Sequence, residues 1–415
     1  MRRDGAENDK LTVTMRGQPA CGARRGWRLG ATVTLATLIC GALWLALPAA
    51  QRGAGPRYRV DPFWPKPLPT ITDSDGLAHQ WVTGMVGASC IDSHDHIITV
   101  NRGFLPNGLL PQEGSQSIPS PPVILYDTAG DVAGSWGDPS LTPDGAAAVL
   151  PHGIHGCFAD GQDNIWIAGN SDGVVQKWSH DGSQLLLQIG TKGLCDGPPT
   201  LNPRSAHPTC GEPGNNRSEN LLNAPADIAV DPNPDPVTGE RGSVYIADGY
   251  GNHRIVVFDG EGNYLRQWGS AGSGDGQFVE RGGGHPHCVV IGNDGLVYAC
   301  DRGQNRIQVF DREGTLRRII TVDPPEYMMA TLRATDIELS RDAQQRHLLV
   351  VDLGSNRIWI LERDSGDIVG SVGGSGHMAG EFTFPHTIVT DSDGSIYAAE
   401  TLGGRRNQKF VRTSG

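Results

Sequence analysis

An all-β chain folded as a six-bladed β-propeller is what the sequence predicts, and three observations carry the expectation. The 415 residues include 57 glycines and 28 prolines with 38% hydrophobic residues, a mix that suits short strands and turns better than long helices. A unit of apolar strand, Asp/Gly/Asn turn, second strand, polar turn and third strand returns about every fifty residues. Its hairpin turns, such as "NDG", "SDG" and "EGN", place Gly or Asn where a positive φ is needed. Such a unit cannot bury both faces of its sheet alone, so copies have to stack radially around a channel.

Six copies can be followed in order. A divergent first copy runs "ASCIDSHDHIITVNRG" with "VILYDTAGDVAGSWG", and the second is "HGCFADGQDNIWIAGNSDGVVQKWSHDGSQLLLQIG". The third is "ADIAVDPNPDPVTGERGSVYIADGYGNHRIVVFDGEGNYLRQWG" and the fourth "HCVVIGNDGLVYACDRGQNRIQVFDREGTLRRII". The fifth and sixth are "TDIELSRDAQQRHLLVVDLGSNRIWILERDSGDIVGSVG" and "HTIVTDSDGSIYAAETLGGRRNQKFVR". Ahead of them, "YRVDPFWPKPLP" is held extended by its prolines and is expected to supply a strand that closes the ring. The stretches Phe104 to Pro122, Thr191 to Asn223 and Asp231 to Gly242 are too long for blade turns, and long loops on a rigid scaffold often shape a binding mouth.

Residues 1–55 read differently from residues 56–415. Arg24, Arg25 and Arg28 precede the uncharged run "LGATVTLATLICGALWLAL", Leu29 to Leu47, as in an export signal or a single membrane anchor through residues 29–47. The propeller is therefore expected outside the cytoplasm: periplasmic, extracellular or membrane-anchored. A net charge of -12 argues against a nucleic-acid or anionic-membrane surface as the main partner. The exported part holds Cys90, Cys157, Cys195, Cys210, Cys288 and Cys300, and disulfides Cys195–Cys210 and Cys288–Cys300 are expected.

The repeat lets positions be compared within one chain. Counting nine residues from His155, His287 and His386 reaches the start of the next strand in each copy, so the three occupy one place in blades two, four and six. Ala226 and Thr335 hold that place in blades three and five. Three imidazoles about 120° apart at one end of a channel form a tripod for a metal, and three neutral imidazoles with an open fourth position suit catalytic zinc. His152 competes with His155, since it shares the Pro-His context, and His285 is a weaker rival to His287; the other histidines are expected in loops. Tyr250, Arg302 and Arg102 each follow a second strand near the same mouth. A phenolate favoured by a cation and a guanidinium can remove a hydroxyl proton, while arginines hold a carboxylate.

"PADIAVDP", "GSVYIADGYGNHRIVVF", "PHCVVIGNDGLVYACDRGQNRIQVF" and "FPHTIVTDSDGSIYAAE" resemble the NHL-repeat propellers, and among them the peptidyl-α-hydroxyglycine α-amidating lyases. The resemblance runs from about Arg57 to the C-terminus. It implies a zinc-dependent lyase that cleaves a peptidyl-α-hydroxyglycine to an amide and glyoxylate. Residue by residue it carries the zinc ligands onto His155 (or His152), His287 and His386, the base onto Tyr250, and the site arginines onto Arg102 and Arg302. Thr387 stands where the family has a calcium-binding aspartate, which leaves a structural calcium doubtful, and Gly251 replaces a family cysteine. The expected partner is a peptide or small α-hydroxy acid derivative. The rival expectation is a non-catalytic exported propeller that binds a protein or glycan through its long loops. A hydrolase of the propeller type, which typically uses acidic metal ligands, is disfavoured by His, Ala and Thr at the channel position.

Overall fold

Each of the first five sequence copies folds into a four-stranded antiparallel sheet, and the sixth supplies three strands of another. A computed structural model of the chain describes residues 55–72, 76–104, 108–137, 150–198, 200–201, 208–279, 285–324 and 332–414. Blade 1 is Val86–Ile91, Ile97–Asn101, Val123–Tyr126 and Val132–Trp136; blade 2 is Ile154–Ala159, Ile165–Gly169, Val174–Trp178 and Leu185–Ile189. Blade 3 is Asp227–Val230, Val244–Asp248, Arg254–Phe258 and Tyr264–Trp268; blade 4 is Val289–Ile291, Leu296–Asp301, Arg306–Asp311 and Leu316–Thr321. Blade 5 is Asp336–Leu339, His347–Asp352, Arg357–Glu362 and Ile368–Gly373. Blade 6 joins Pro385–Thr390, Ile396–Glu400 and Arg406–Ser414 to a strand from the other end of the chain, Arg57–Asp61. Val60 pairs with Phe410 and Asp61 with Lys409, so the extended N-terminal stretch closes the ring as expected. The architecture is a six-bladed β-propeller.

The second and third strands of the blades read as nearly continuous apolar runs because both of their faces are covered. Val244–Asp248 and Arg254–Phe258 are buried at every residue. The apolar core is accordingly distributed between blades rather than gathered at the axis. Trp166 and Val175 of blade 2 pack with Ile246 and Phe258 of blade 3. Tyr298 and Val309 of blade 4 meet Leu348 and Trp359 of blade 5, and Leu349 and Ile360 meet Ile396 and Phe410 of blade 6. Each large side chain so buried contributes about 1.5–3 kcal/mol, which is how thin sheets hold together without a common centre.

Polar pins fix the hairpins at one end of the ring. The acid that ends a second strand meets the arginine that opens the third: Asp248 with Arg254 Nε at 3.0 Å, Asp301 with Arg306 Nε at 2.7 Å and Glu400 with Arg406 Nε at 2.6 Å. All three carboxylates are buried, so these pairs dictate where each second-to-third turn emerges. Disulfides join Cys195 to Cys210 and Cys288 to Cys300, as expected, and Cys90 to Cys157, a pair that the sequence reading left unassigned. The last spans blades 1 and 2.

Because strands alternate in direction, turns after second strands and links between blades lie on one face, and turns after first and third strands lie on the other. Phe104–Pro122 and Thr191–Asn223 belong to the first face; Asp231–Gly242, between the first two strands of blade 3, belongs to the second and does not shape the same mouth. Among the described residues no helix is long and apolar enough to cross a membrane. The run Leu29 to Leu47 lies outside the described residues, as does His207. Two histidines expected in loops, His79 and His347, lie in strands instead.

Candidate metal centre

His155, His287 and His386 start or precede the innermost strands of blades 2, 4 and 6, and the fold brings their rings together at the channel axis. Their ring centroids are 5.0, 4.8 and 5.1 Å apart in the three pairings, near perpendicular to one another. Their ligand atoms all lie within 4.8 Å of each other, and all three residues are buried.

The odd blades orient the rings of the even ones. His155 Nδ1 lies 2.8 Å from the Ala226 carbonyl, His287 Nδ1 2.6 Å from that of Thr335, and His386 Nδ1 2.6 Å from that of Gly87. Gly87, Ala226 and Thr335 occupy in blades 1, 3 and 5 the place that histidine holds in the others. A carbonyl only accepts, so each Nδ1 carries the proton and each Nε2 presents a lone pair. The close approach needs glycine: a Cβ on Gly156 would stand 2.5 Å from the Ala226 oxygen, and one on Gly249 would stand 1.8 Å from that of Pro286. The sequence reading saw the even-blade histidines but not that the intervening small residues serve by their backbone; only the repeat position marks them.

Tyr250 reaches the same point from the second-to-third turn of blade 3. Its hydroxyl is 3.0 Å from His155 Nε2 and 3.0 Å from His287 Nε2. Arg302 donates Nη2 to that hydroxyl at 3.2 Å, its guanidinium 5.3 Å from the tyrosine ring centre. Arg102 donates Nε to the Ile154 carbonyl at 2.6 Å, beside His155. Burial lowers the Arg102 guanidinium from its ordinary value, with the facing Tyr250 opposing that shift. His152 stands apart, its amide bonded to Asp172 at 2.6 Å, and His285 accepts the Gly303 amide at 3.1 Å, so the histidine gathered at the axis from "LPHGIHG" is His155.

Protons cannot serve this cluster of lone pairs. Burial, then neighbouring charge, holds His155 and His287 well below their ordinary value, and burial with Arg102 and Arg302 pulls His386 down to about 3. Three Nε2 lone pairs converge with one phenol proton between them. A divalent cation fits that donor set, and neutral imidazole is what zinc takes.

Behind the tripod the channel widens into a cavity of about 650 Å³. Among the acidic residues that line it are Asp227 and Asp336, one residue after Ala226 and Thr335. Asp227 accepts the Val289 amide at 3.0 Å and Asp336 the Ile388 amide at 2.9 Å, linking blade 3 to blade 4 and blade 5 to blade 6. Burial pushes Asp227 up to about 7; burial and the charge of Asp227 push Asp336 well above its ordinary value. The sequence reading passed over both, although "PADIAV" and "ATDIEL" show them at one repeat position. Thr387, at that position in blade 6, accepts the Ser89 amide at 3.0 Å.

Six blades with an axial histidine tripod define a class of propeller in which a metal can sit at one mouth of the channel. Among known families, the NHL repeat model matches residues 284–310, the fourth blade. NHL repeat-containing protein 3 of Homo sapiens is 24% identical over 372 residues, covering 85% of this chain and 84% of that protein. Peptidyl-glycine alpha-amidating monooxygenase A of Xenopus laevis is 35% identical over 255 residues, 58% of this chain but 23% of that protein. The probable peptidyl-alpha-hydroxyglycine alpha-amidating lyase of Caenorhabditis elegans is 25% identical over 164 residues, covering 39% and 37% of the two chains. A streptogramin B lyase structure covers 86% of this chain and 98% of its own at 12% identity, with a TM-score of 0.48. The resemblance to NHL-repeat proteins, amidating enzymes among them, thus holds at low identity.

Proposed function

We propose that the propeller is a zinc-dependent lyase acting on a peptidyl-α-hydroxyglycine or a related carbinolamide. The observation that carries this reading is the convergence of His155, His287 and His386 with the Tyr250 hydroxyl 3.0 Å from two of their Nε2 atoms. The similarity to amidating enzymes supports it. The three histidines would hold zinc through Nε2, and the ion would supply Lewis acidity toward a substrate oxygen.

The chain's own groups then have definite work. Arg302, donating to the Tyr250 oxygen and lying over its ring, holds that oxygen in place beside the tripod. That oxygen takes the proton of the substrate hydroxyl. The electron pair of the O–H bond forms the new C=O of glyoxylate, the C–N bond breaks with its pair going to nitrogen, and nitrogen takes a proton to give the amide. Arg102, fixed by its bond to the Ile154 carbonyl, and Arg302 supply the positive charge that a substrate carboxylate needs.

Elemental analysis of the purified protein beside a His155→Ala/His287→Ala/His386→Ala variant tests the metal, and glyoxylate release from an α-hydroxyglycine substrate tests the chemistry. About one zinc per chain, lost in the variant together with glyoxylate release, is the expected result. A wild-type protein that takes up no metal at the tripod defeats the lyase reading and favours the second, a binding propeller. That second reading draws on the relative matched along most of its length, which is named for its repeats alone. Three disulfides support export to an oxidising compartment, with the run Leu29 to Leu47 as signal or anchor.

A further inference from the structure

Histidines outside the tripod gather on the opposite face of the ring. Asp92 opens the turn after the first strand of blade 1, His96 closes that turn, and His180 lies in the turn after the third strand of blade 2. One carboxylate oxygen, Asp92 Oδ2, meets both rings, with His96 Nδ1 at 2.8 Å and His180 Nε2 at 2.9 Å. The other, Oδ1, accepts the amides of His94 and His96 at 2.9 and 2.8 Å, so the carboxylate cannot rotate away. The three ligand atoms lie within 4.8 Å of one another. The carboxylate is buried while the His96 and His180 side chains are 31% and 38% exposed, which leaves the cluster open on its solvent side.

Comparison with the other blades separates this cluster from an ordinary turn. Asp160 and Asp391 hold the place of Asp92 in blades 2 and 6, and each accepts the amide four residues on through Oδ1. Their second oxygens meet Trp166 Nε1 at 3.0 Å with Lys177 Nζ at 3.0 Å, and the Tyr397 hydroxyl at 2.9 Å. In blade 1 the place of Trp166 and Tyr397 is Ile98, which donates nothing. Two imidazoles, one from the neighbouring blade, stand there instead. An indole and an ammonium can only donate to the carboxylate; an imidazole can instead turn a lone pair to a cation.

We propose that Asp92, His96 and His180 form a second divalent-metal site, of the zinc class, bridging blades 1 and 2 on the face opposite the tripod. Two imidazoles and one carboxylate suit zinc and its late transition-metal neighbours, whereas calcium and magnesium prefer all-oxygen shells. Tetrahedral bonds of 2.0–2.1 Å set ligand atoms about 3.4 Å apart, so the rings need only a small outward shift from their present contacts. On binding, the ring protons that now face Asp92 Oδ2 leave for solvent or move to the other nitrogens. The site rests on its own residues and is independent of the lyase reading.

The test uses the full-length chain carrying His155→Ala, His287→Ala and His386→Ala, so that the tripod cannot contribute. Zinc is titrated into this protein and into the same protein with His96→Gln and His180→Gln added, with circular dichroism as the folding control. About one zinc per chain in the first, with affinity reduced tenfold or more in the second, is expected. Thermal unfolding should shift upward with zinc only while both histidines are present. No binding by the first protein at micromolar zinc, or undiminished binding by the second, overturns the site. If the triple alanine chain fails to fold, His96→Gln/His180→Gln in the otherwise native chain must hold one zinc fewer than its parent; equal content refutes the proposal.

Discussion

At His155, His287 and His386 the same burial that removes solvent also keeps the rings neutral, and the Nδ1 bonds to Ala226, Thr335 and Gly87 choose the tautomer. Tyr250 is not needed for that arrangement, since it approaches from the Nε2 side. Tyr250→Phe should therefore leave zinc content unchanged and lower glyoxylate release by about 10²–10⁴-fold, the usual worth of a positioned base. Metal analysis and turnover measured on the same preparation check this, and a fully active Phe variant removes Tyr250 as the base. The tripod residues and Tyr250 were legible in the sequence because the repeat puts equivalent places side by side. Arg302 and Arg306 are four residues apart and the same type, yet one meets Tyr250 and the other Asp301. The first was singled out from its place after the strand and from the family resemblance.

Among elements, Arg57–Asp61 carries the most leverage for its length. It covers the outer edge of Arg406–Ser414 and turns an open stack of blades into a ring. Without it, the edge of blade 6 would present unpaired backbone groups to other chains. A chain from which residues 57–61 are deleted should unfold at markedly lower temperature and aggregate more readily, measured by calorimetry and light scattering against the intact protein. Equal thermal stability would show that the ring closes without this strand. The closing role was readable from the prolines that hold "YRVDPFWPKPLP" extended. Which face each long loop occupies was not, because that depends on strand direction in the assembled sheets; the loop Asp231–Gly242 went to the far side for this reason.

For the whole molecule, alternation is the organising device: even blades bring side chains to the axis and odd blades bring carbonyls, with Asp227 and Asp336 one step further in. The two sets of buried groups give opposite pH dependence. The tripod histidines have folded values below the ordinary 6.5. The unfolded chain takes protons there that the folded chain does not, so stability falls as pH drops from about 6.5 toward 3, by up to about 1.4 kcal/mol per unit for each histidine. Asp227, pushed up to about 7, works the other way and costs stability as pH rises from about 4 to 7. Urea midpoints of metal-free protein between pH 4 and 7.5, compared with His386→Gln, should show a shallower rise with pH in the variant. Parallel curves would mean that His386 titrates alike in both states.

The sequence by itself determined the number of blades, the strand that closes them and the three histidines at one place in alternate copies, because periodicity and turn chemistry are local and repeat along the chain. Tertiary structure alone decided that Ala226, Thr335 and Gly87 orient the tripod through their carbonyls, that Cys90 reaches Cys157, and that His180 meets Asp92 across a blade boundary. Those contacts join residues from 48 to 299 positions apart, and no local pattern encodes a distance that exists only once the ring has closed.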